Sequence, residues 1–354
     1  MENKVNLTDL GWNEFYSHAF EPYASHGKPG RVIVADGAFY RVLTGNGEVM
    51  AGSAGRLHQS GAVVVGDWVV LGHSTSLIEN VLPRRTLLER QQAGTAFGRQ
   101  AMAANIDVLF IVTGLDGDFS IRRIERYLVV AKHCGIEPVI VLSKCDLLDE
   151  SARAQAVETV RGSAPDVRVL LWSAFGPDGT SILDHAVPPY CTAALIGSSG
   201  AGKSTIVNRL LGAEMLATQP VRESDGTGRH TTTRRQLIPL PQGWNLIDMP
   251  GLREVRLWAA AVEVTAVFTD IDALAAECRY SDCGHQQEPG CAVQSAIAGG
   301  ALAPERLEQL RKLRAEASHV EAAGSVTATL DRKRRDKTIH RAMNRMKRSK
   351  PELE

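Results

Sequence analysis

Gly197-Ser198-Ser199-Gly200-Ala201-Gly202-Lys203-Ser204 carries the pattern G-x-x-x-x-G-K-[ST], followed by Thr205. That spacing wraps backbone N–H groups around a polyphosphate. Lys203 reaches the β- and γ-phosphates, and the Ser204 hydroxyl binds Mg²⁺. The apolar run 192–196 predicts a short buried strand. Residues 204–211 predict a helix whose N-terminal dipole favours an anion. A Gly-rich turn between strand and helix is the plainer alternative, and the agreement of strand, loop and helix favours phosphate binding.

Two further pieces follow in the chain. Asp248-Met249-Pro250-Gly251 ends an apolar stretch, 244–247. A carboxylate at a strand end can hold Mg²⁺ through water, and the Gly251 N–H can sense a γ-phosphate. Between loop and carboxylate lies Gly228-Arg229-His230-Thr231-Thr232-Thr233. Its place suits a switch in which a Thr hydroxyl closes on Mg²⁺ only when the γ-phosphate is present. An ordinary β-prone surface segment is the other reading of these threonines. Many phosphate-hydrolysing G proteins place a water-orienting Gln just after the glycine of the carboxylate segment. Leu252 stands there and can neither orient nor deprotonate water, so His230 is the candidate, against a surface His with no role.

A base-reading segment, Ser143-Lys144-Cys145-Asp146, ends the apolar run 138–142. Asp146 can accept from the N1–H and 2-amino group of guanine, and the Lys144 stem can cover the ring. Ser173-Ala174, after the apolar stretch 167–172, is spaced as a second base-side loop. A hydroxyl at Ser143 replaces only part of an amide's hydrogen bonding, which predicts looser guanine binding. These base-side segments precede the phosphate loop, as they would after a circular permutation. Permutation is tolerated where a domain's native ends lie close together.

Cys278, Cys283, His285 and Cys291 form C-x4-C-x-H-x5-C. Three thiols and an imidazole this close match a closed tetrahedral zinc site of structural type. Disulfides are the competing reading. The opening residues Met1–Leu7 lack the apolar core of a signal peptide, and all six cysteines fit a reduced cytoplasm. There is no run of about 18 apolar residues, so no membrane span is expected.

The elements that must carry these groups fall into three parts and a tail. Residues 1–95 read as an N-terminal extension and a small β-barrel, an OB-fold, from alternating segments at 31–35, 39–43, 62–71 and 77–82. Trp68 in this barrel reads as core, with a base-stacking platform as the alternative. The stretch 91–104 is polar and Gly-containing and reads as a linker or loop. Residues 96–256 alternate strands and helices as a doubly wound α/β domain. Residues 257–330 turn helical around the Cys/His cluster, with a helix over 304–317. From Asp331 to Glu354 there are ten Lys/Arg and four acids, net +6, while the chain as a whole is neutral with 40 of each sign. This asymmetry suggests a basic arm for nucleic acid, with a solvated helix as the alternative. The 354 residues, 44% hydrophobic, allow two or three domains with real cores.

SKCD and SA before GSSGAGKST, then GRHTTT and DMPGL, resemble the circularly permuted GTPases. Within them the chain is similar to the ribosome small subunit-dependent GTPase A (RsgA) family. The cysteine cluster with its flanking residues, and Leu10-Gly11-Trp12-Asn13, also look familial. The resemblance implies a cytoplasmic GTPase, expected to be monomeric, that uses GTP/GDP, Mg²⁺ and one Zn²⁺. It implies binding to the small ribosomal subunit and its rRNA, assistance in late maturation, stimulation of hydrolysis by the subunit, and His230 as catalytic residue. Two alternatives stay open: a permuted GTPase acting on the large subunit or another RNA, and a non-enzymatic RNA-binding module with a structural nucleotide.

Overall fold

The computed structural model describes residues 5–37, 39–53, 62–73, 75–91, 99–176, 179–212, 235–249 and 264–318. Helix α1 (Glu14–Phe20) precedes five strands, β1 (Gly27–Asp36), β2 (Phe39–Thr44), β3 (Gly47–Ser53), β4 (Trp68–Gly72) and β5 (Leu77–Val81). Antiparallel pairings join β1 to β2, β2 to β3 and β4 to β5. A parallel contact at Gly52↔Leu77 joins β3 to β5, and β1–β4 pairing from Gly27↔Gly72 to Arg31↔Trp68 closes the ring. This is the OB-type barrel expected. Alternating residues of β2, Tyr40, Val42 and Thr44, point inward, as period-2 geometry requires. Val32, Val69, Leu71 and Ile78 complete the barrel core. Trp68 is buried, so its core reading holds.

The stretch read as a linker instead contributes β7 (Arg99–Ala104), paired antiparallel with β6 (Leu87–Gln91). Leu88, Met102, Ala103 and Ala104 are fully buried. Ala-Met-Ala-Ala carries no alternation, so period-2 reasoning has nothing to detect. The expected divisions near residues 96 and 256 both lie outside the described residues.

The next unit alternates: β8 (Val108–Gly114), α2 (Ile121–Cys134), β9 (Glu137–Ser143), α3 (Glu150–Ser163), β10 (Arg168–Leu171), α4 (Ser181–Asp184), β11 (Thr192–Ile196), α5 (Lys203–Leu211), β12 (Gln236–Pro239) and β13 (Asn245–Asp248). Its sheet runs β10-β9-β8-β11-β13-β12, parallel except for β12. Every residue of β8 and β11 is buried, as expected for inner strands covered on both faces. At the far edge, β12 meets β1 of the barrel at Val34↔Gln236, which covers an otherwise open strand.

The last part holds α6 (Thr269–Ala276), α7 (Ala292–Ala298) and α8 over 304–318. Phe268, Leu302, Leu307, Leu310 and Leu313 share one apolar core with Ile124 and Leu128 of α2. Arg306 of α8 fixes this docking. It donates to Glu125 of α2 at 2.6 Å, to Asp270 at 2.5 and 2.8 Å and to the Ser163 carbonyl at 3.1 Å, and lies over the Phe268 ring at 4.8 Å. Arg306→Leu strips the buried Glu125 of its counter-charge and should cost about 3–5 kcal/mol in urea denaturation. Burial pushes the Glu125 carboxyl from 4.5 up to about 7, with Arg306 pulling against it. Between those values the folded protein holds a proton that the unfolded chain has released. Stability from this residue therefore falls as pH rises through that window, and Glu125→Gln should flatten the fall.

Candidate functional site

The C-terminal ends of the parallel strands share one edge, and the predicted nucleotide groups gather there, as open α/β sheets place their ligands. The phosphate loop leaves β11 at Gly197, whose φ is +156°. A Cβ there would lie 2.2 Å from the Val112 carbonyl of β8, so only glycine lets the chain turn this close to its neighbour. Ser199, Gly200 and Ser204 are exposed, while Ala201 is buried beneath them. Gly202 precedes α5, whose first residue is Lys203. The Lys203 ammonium donates to the carbonyls of Gly197 at 2.8 Å and Ser198 at 2.5 Å, and Thr205 follows within the first turn.

Asp248 closes β13, the strand next to β11. Burial raises its carboxyl above the usual carboxylate range, with the Met249 N–H and the Lys203 charge pulling it back. That makes it a carboxylate in want of a cation, beside the phosphate loop. His230, Thr231, Thr232, Gly251 and Leu252 lie outside the described residues.

The base-side groups are also together. Ser143 ends β9, fully buried. Its hydroxyl sits 2.6 Å from the Ala201 carbonyl of the phosphate loop and 3.2 Å from the Thr113 carbonyl of β8. Its hydrogen-bonding capacity thus goes to bracing the loop. Lys144 takes the left-handed conformation (φ +58°) and its ammonium pairs with Asp116 at 2.5 Å. Cys145–Leu147 form a single 3-10 turn, which presents Asp146 at the surface. Asp146 accepts from the Ser173 hydroxyl at 2.5 Å, so the two base-side loops, with Ala174, meet directly. A pocket of about 360 Å³ opens beside them, walled by Leu171, Trp172, Phe175 and Ile182.

Two acids here escaped the sequence reading. Asp116 and Asp118 sit in the loop after β8. Burial would raise Asp116, but the Lys144 ammonium and the Asp118 N–H hold it below its ordinary value. Asp118 accepts from the Ser198 hydroxyl of the phosphate loop and pairs with Arg123 at 2.6 Å. The available signal was Asp-Gly-Asp directly after a buried parallel strand, the edge where ligands gather.

The cysteine cluster is equally definite. The ligand atoms of Cys278, Cys283, His285 and Cys291 all lie within 4.8 Å of one another. Cys278 Sγ lies 3.9 Å from Cys291 Sγ, and His285 Nδ1 lies 3.6 and 3.5 Å from those two sulfurs. Tetrahedral zinc with ordinary bond lengths requires about 3.8 Å between sulfurs and about 3.6 Å from sulfur to nitrogen. No disulfide exists at 3.9 Å. The His285 carbonyl is held by Gln294 at 2.5 Å and Arg311 at 2.7 Å, which fixes the ligand-bearing turn. The four residues can hold one metal ion, and their donor set fits zinc.

A model of the RsgA GTPase family matches residues 81–258. The chain is 42% identical over 353 residues to the small ribosomal subunit biogenesis GTPase RsgA of Opitutus terrae, covering 94% of this chain and 95% of that one. The chain belongs to the RsgA GTPase family. It is therefore a GTPase, with GTP, GDP and Mg²⁺ as the ligands its family implies. The protein of the same name from Xanthomonas euvesicatoria is 47% identical over 253 residues, 71% of this chain and 69% of that one. Among solved structures, YjeQ from Thermotoga maritima superposes with a TM-score of 0.61 at 25% identity, over 82% of this chain and 98% of that one. YloQ, described as a circularly permuted GTPase, gives 0.60 at 21% identity, over 84% and 96%, and shares the fold.

Ser143→Ala should weaken GTP and GDP alike by about fivefold, since its brace on the phosphate loop serves both. Asp146→Asn should instead weaken guanine relative to adenine nucleotides. Competition binding with all four nucleotides separates the two patterns. For the metal, purified protein should contain one zinc by elemental analysis. Cys283→Ser should lose it and unfold the C-terminal helices, because metal binding of about 10–16 kcal/mol supports such modules.

Proposed function

We propose that this GTPase binds the small ribosomal subunit in its GTP state, assists late maturation of that subunit, and leaves after hydrolysis to GDP and phosphate. The observation that carries the reading is the gathering of base-side, phosphate-side and Asp248 groups on one sheet edge, in a chain whose relatives are named for small-subunit biogenesis. An OB barrel on one side and a Cys₃His module on the other supply surfaces of the kinds that bind structured RNA. The tail 331–354 adds a basic arm for rRNA phosphates. We assign zinc to Cys278, Cys283, His285 and Cys291, take the protein as a cytoplasmic monomer, and divide it near residues 96, 256 and 330.

In this reading the backbone amides of 197–202 cradle the phosphates, and Lys203 leaves its loop carbonyls to meet the β- and γ-oxygens. Ser204, Asp248 and one of Thr231 and Thr232 would hold Mg²⁺, which would neutralise phosphate charge. Asp146 reads the guanine edge. Lys144, tethered by Asp116, covers its face, with Cys145, Ser173 and Ala174 shaping the rim. Gly251 senses the γ-phosphate, and His230 orients the attacking water. Without a Gln after Gly251 the free protein is slow, on the order of 10⁻⁴ to 10⁻² per second. The subunit accelerates it by positioning His230.

GTP turnover with purified small subunits, with large subunits and with neither tests this reading. Small subunits alone should stimulate. Lys203→Ala should abolish turnover in every condition. His230→Ala should keep nucleotide affinity and lose about 10²-fold or more of the stimulated rate. Equal stimulation by large subunits would overturn the partner, and an unaltered stimulated rate in His230→Ala would overturn the catalytic assignment.

A further inference from the structure

The run Leu10-Gly11-Trp12-Asn13 has no part in the nucleotide or metal sites. Its Gly11, Trp12 and Asn13 wall a cavity of about 250 Å³ that is also lined by Tyr16, Arg31, Trp68, Arg85, Asp107 and Tyr190. Asp107 immediately precedes β8 and Cys191 precedes β11, so the cavity lies at the sheet edge opposite the nucleotide site. Barrel, N-terminal segment and α/β unit all meet there.

Each residue of the run has a task in building this wall. The Leu10 carbonyl accepts from Arg31 Nη1. Gly11 has φ +90°, and a Cβ there would stand 2.9 Å from Arg31 Nη1 and 3.0 Å from the Tyr190 carbonyl. Trp12 meets Trp68 edge-on at 4.8 Å, and Asn13 caps α1 through the Tyr16 N–H.

Two arginines, Arg31 and Arg85, face a single carboxylate, Asp107, in the lining of the cavity. Arg31 is only 2% exposed. Its terminal nitrogens reach only carbonyls, those of Leu10 and, at 3.1 Å, Asn105. It makes no ion pair among the described residues, and its Nε has no partner. The buried indole N–H of Trp68 has none either. Asp107, the acid of the cavity, is engaged by the Thr192 N–H at 2.8 Å and by Arg85 at 3.5 Å. Burial lowers the Arg31 guanidinium from 12.5 to about 10, with the Tyr16, Asp107 and Asp67 charges pulling the other way. Such a group is costly unless paired. Water can satisfy unpaired donors but cannot supply the missing negative charge.

We propose that this cavity binds a small oxyanion, a carboxylate or phosphate group, with Arg31, Arg85 and the Trp68 indole as its donors and Trp12, Tyr16 and Tyr190 as its aromatic walls. Oxyanion–guanidinium hydrogen bonds are charge-assisted and planar, which suits two arginines and an indole converging on one space. Occupancy would brace the three parts against one another, since a ligand of the folded state stabilises it by mass action.

The chain has five tryptophans, so its indole N–H groups give a resolvable set of ¹⁵N–¹H signals, with Trp68 assigned by Trp68→Phe. Full-length protein is saturated with GDP and Mg²⁺, so that the phosphate loop is occupied. Inorganic phosphate and acetate are then titrated separately, with ionic strength held constant by chloride. The expected result is a saturable shift of the Trp68 signal with at least one anion. A response to acetate alone identifies a carboxylate site, and a response to phosphate alone a phosphate site. Arg31→Met should abolish the shift. Arg85→Ala, at a half-exposed side chain whose loss the fold tolerates, should weaken it about fivefold. A Trp68 signal unmoved by both anions, or moved equally in Arg85→Ala, overturns the proposal.

Discussion

The contact between Gly197 and the Val112 carbonyl sets the geometry of the nucleotide edge. A side chain at 197 would collide with β8, and pushing the loop outward would withdraw it from Ser143. With glycine there, the chain turns sharply off β11, Ala201 lands on the Ser143 hydroxyl, and Ser198 meets Asp118. One close backbone approach thus lets three successive strand ends, of β8, β9 and β11, brace one loop. Nothing in this arrangement depends on the order in which the chain visits the strands. That is why a permuted connection preserves the edge: β11 still lies between β8 and β13.

What permutation does change is the route out of the edge. Asp248 closes β13, and further along the chain Val264 is fully buried. From there the chain runs to Phe268 and Asp270, two of the groups that hold Arg306. The module carrying the cysteine cluster is therefore tied to α2 and α3 by a buried cation and a shared apolar core. A displacement starting at Asp248 works against that anchor. That anchor joins the module to α2, the helix that follows the loop carrying Asp116 and Asp118.

The parts legible in the sequence were those whose chemistry fixes spacing. A phosphate cradle needs glycines and a lysine at set intervals, and four metal ligands must converge on a point, so both could be read without coordinates. The barrel was legible through alternation in β2 and the apolar run of β4. It faded in β3, where Gly47, Ala51 and Gly52 blur the period, and failed in β7, where small residues hide it. Ser143 shows another limit. Its identity suggested a weaker base contact, whereas its position reveals a brace 58 residues distant in sequence. Asp116 and Asp118 were missed for the same reason, because their partners, Lys144 and Ser198, are close only in space.

The far edge of the sheet obeys a different constraint, that of joining two folded parts through buried polar side chains. Asn245 of β13 donates to the Asp9 carbonyl at 3.0 Å and to the Tyr190 carbonyl at 3.3 Å. Asn105 sends its amide to the Gly66 carbonyl of the barrel at 2.9 Å and accepts from the Arg85 N–H at 2.9 Å. Asp67, buried, is paired bidentately with Arg84 at 2.7 and 2.8 Å. Asn245 and Asn105 knit barrel, N-terminal segment and sheet together through backbone groups, where geometry is least forgiving, while Asp67 and Arg84 hold the end of the barrel itself. The barrel also reaches the nucleotide side of the sheet, where Val34 of β1 pairs with Gln236 and Gln236 with Asp248. With contacts toward both ends of the strands, the barrel is held in one orientation against the sheet that carries Asp248 and the phosphate loop.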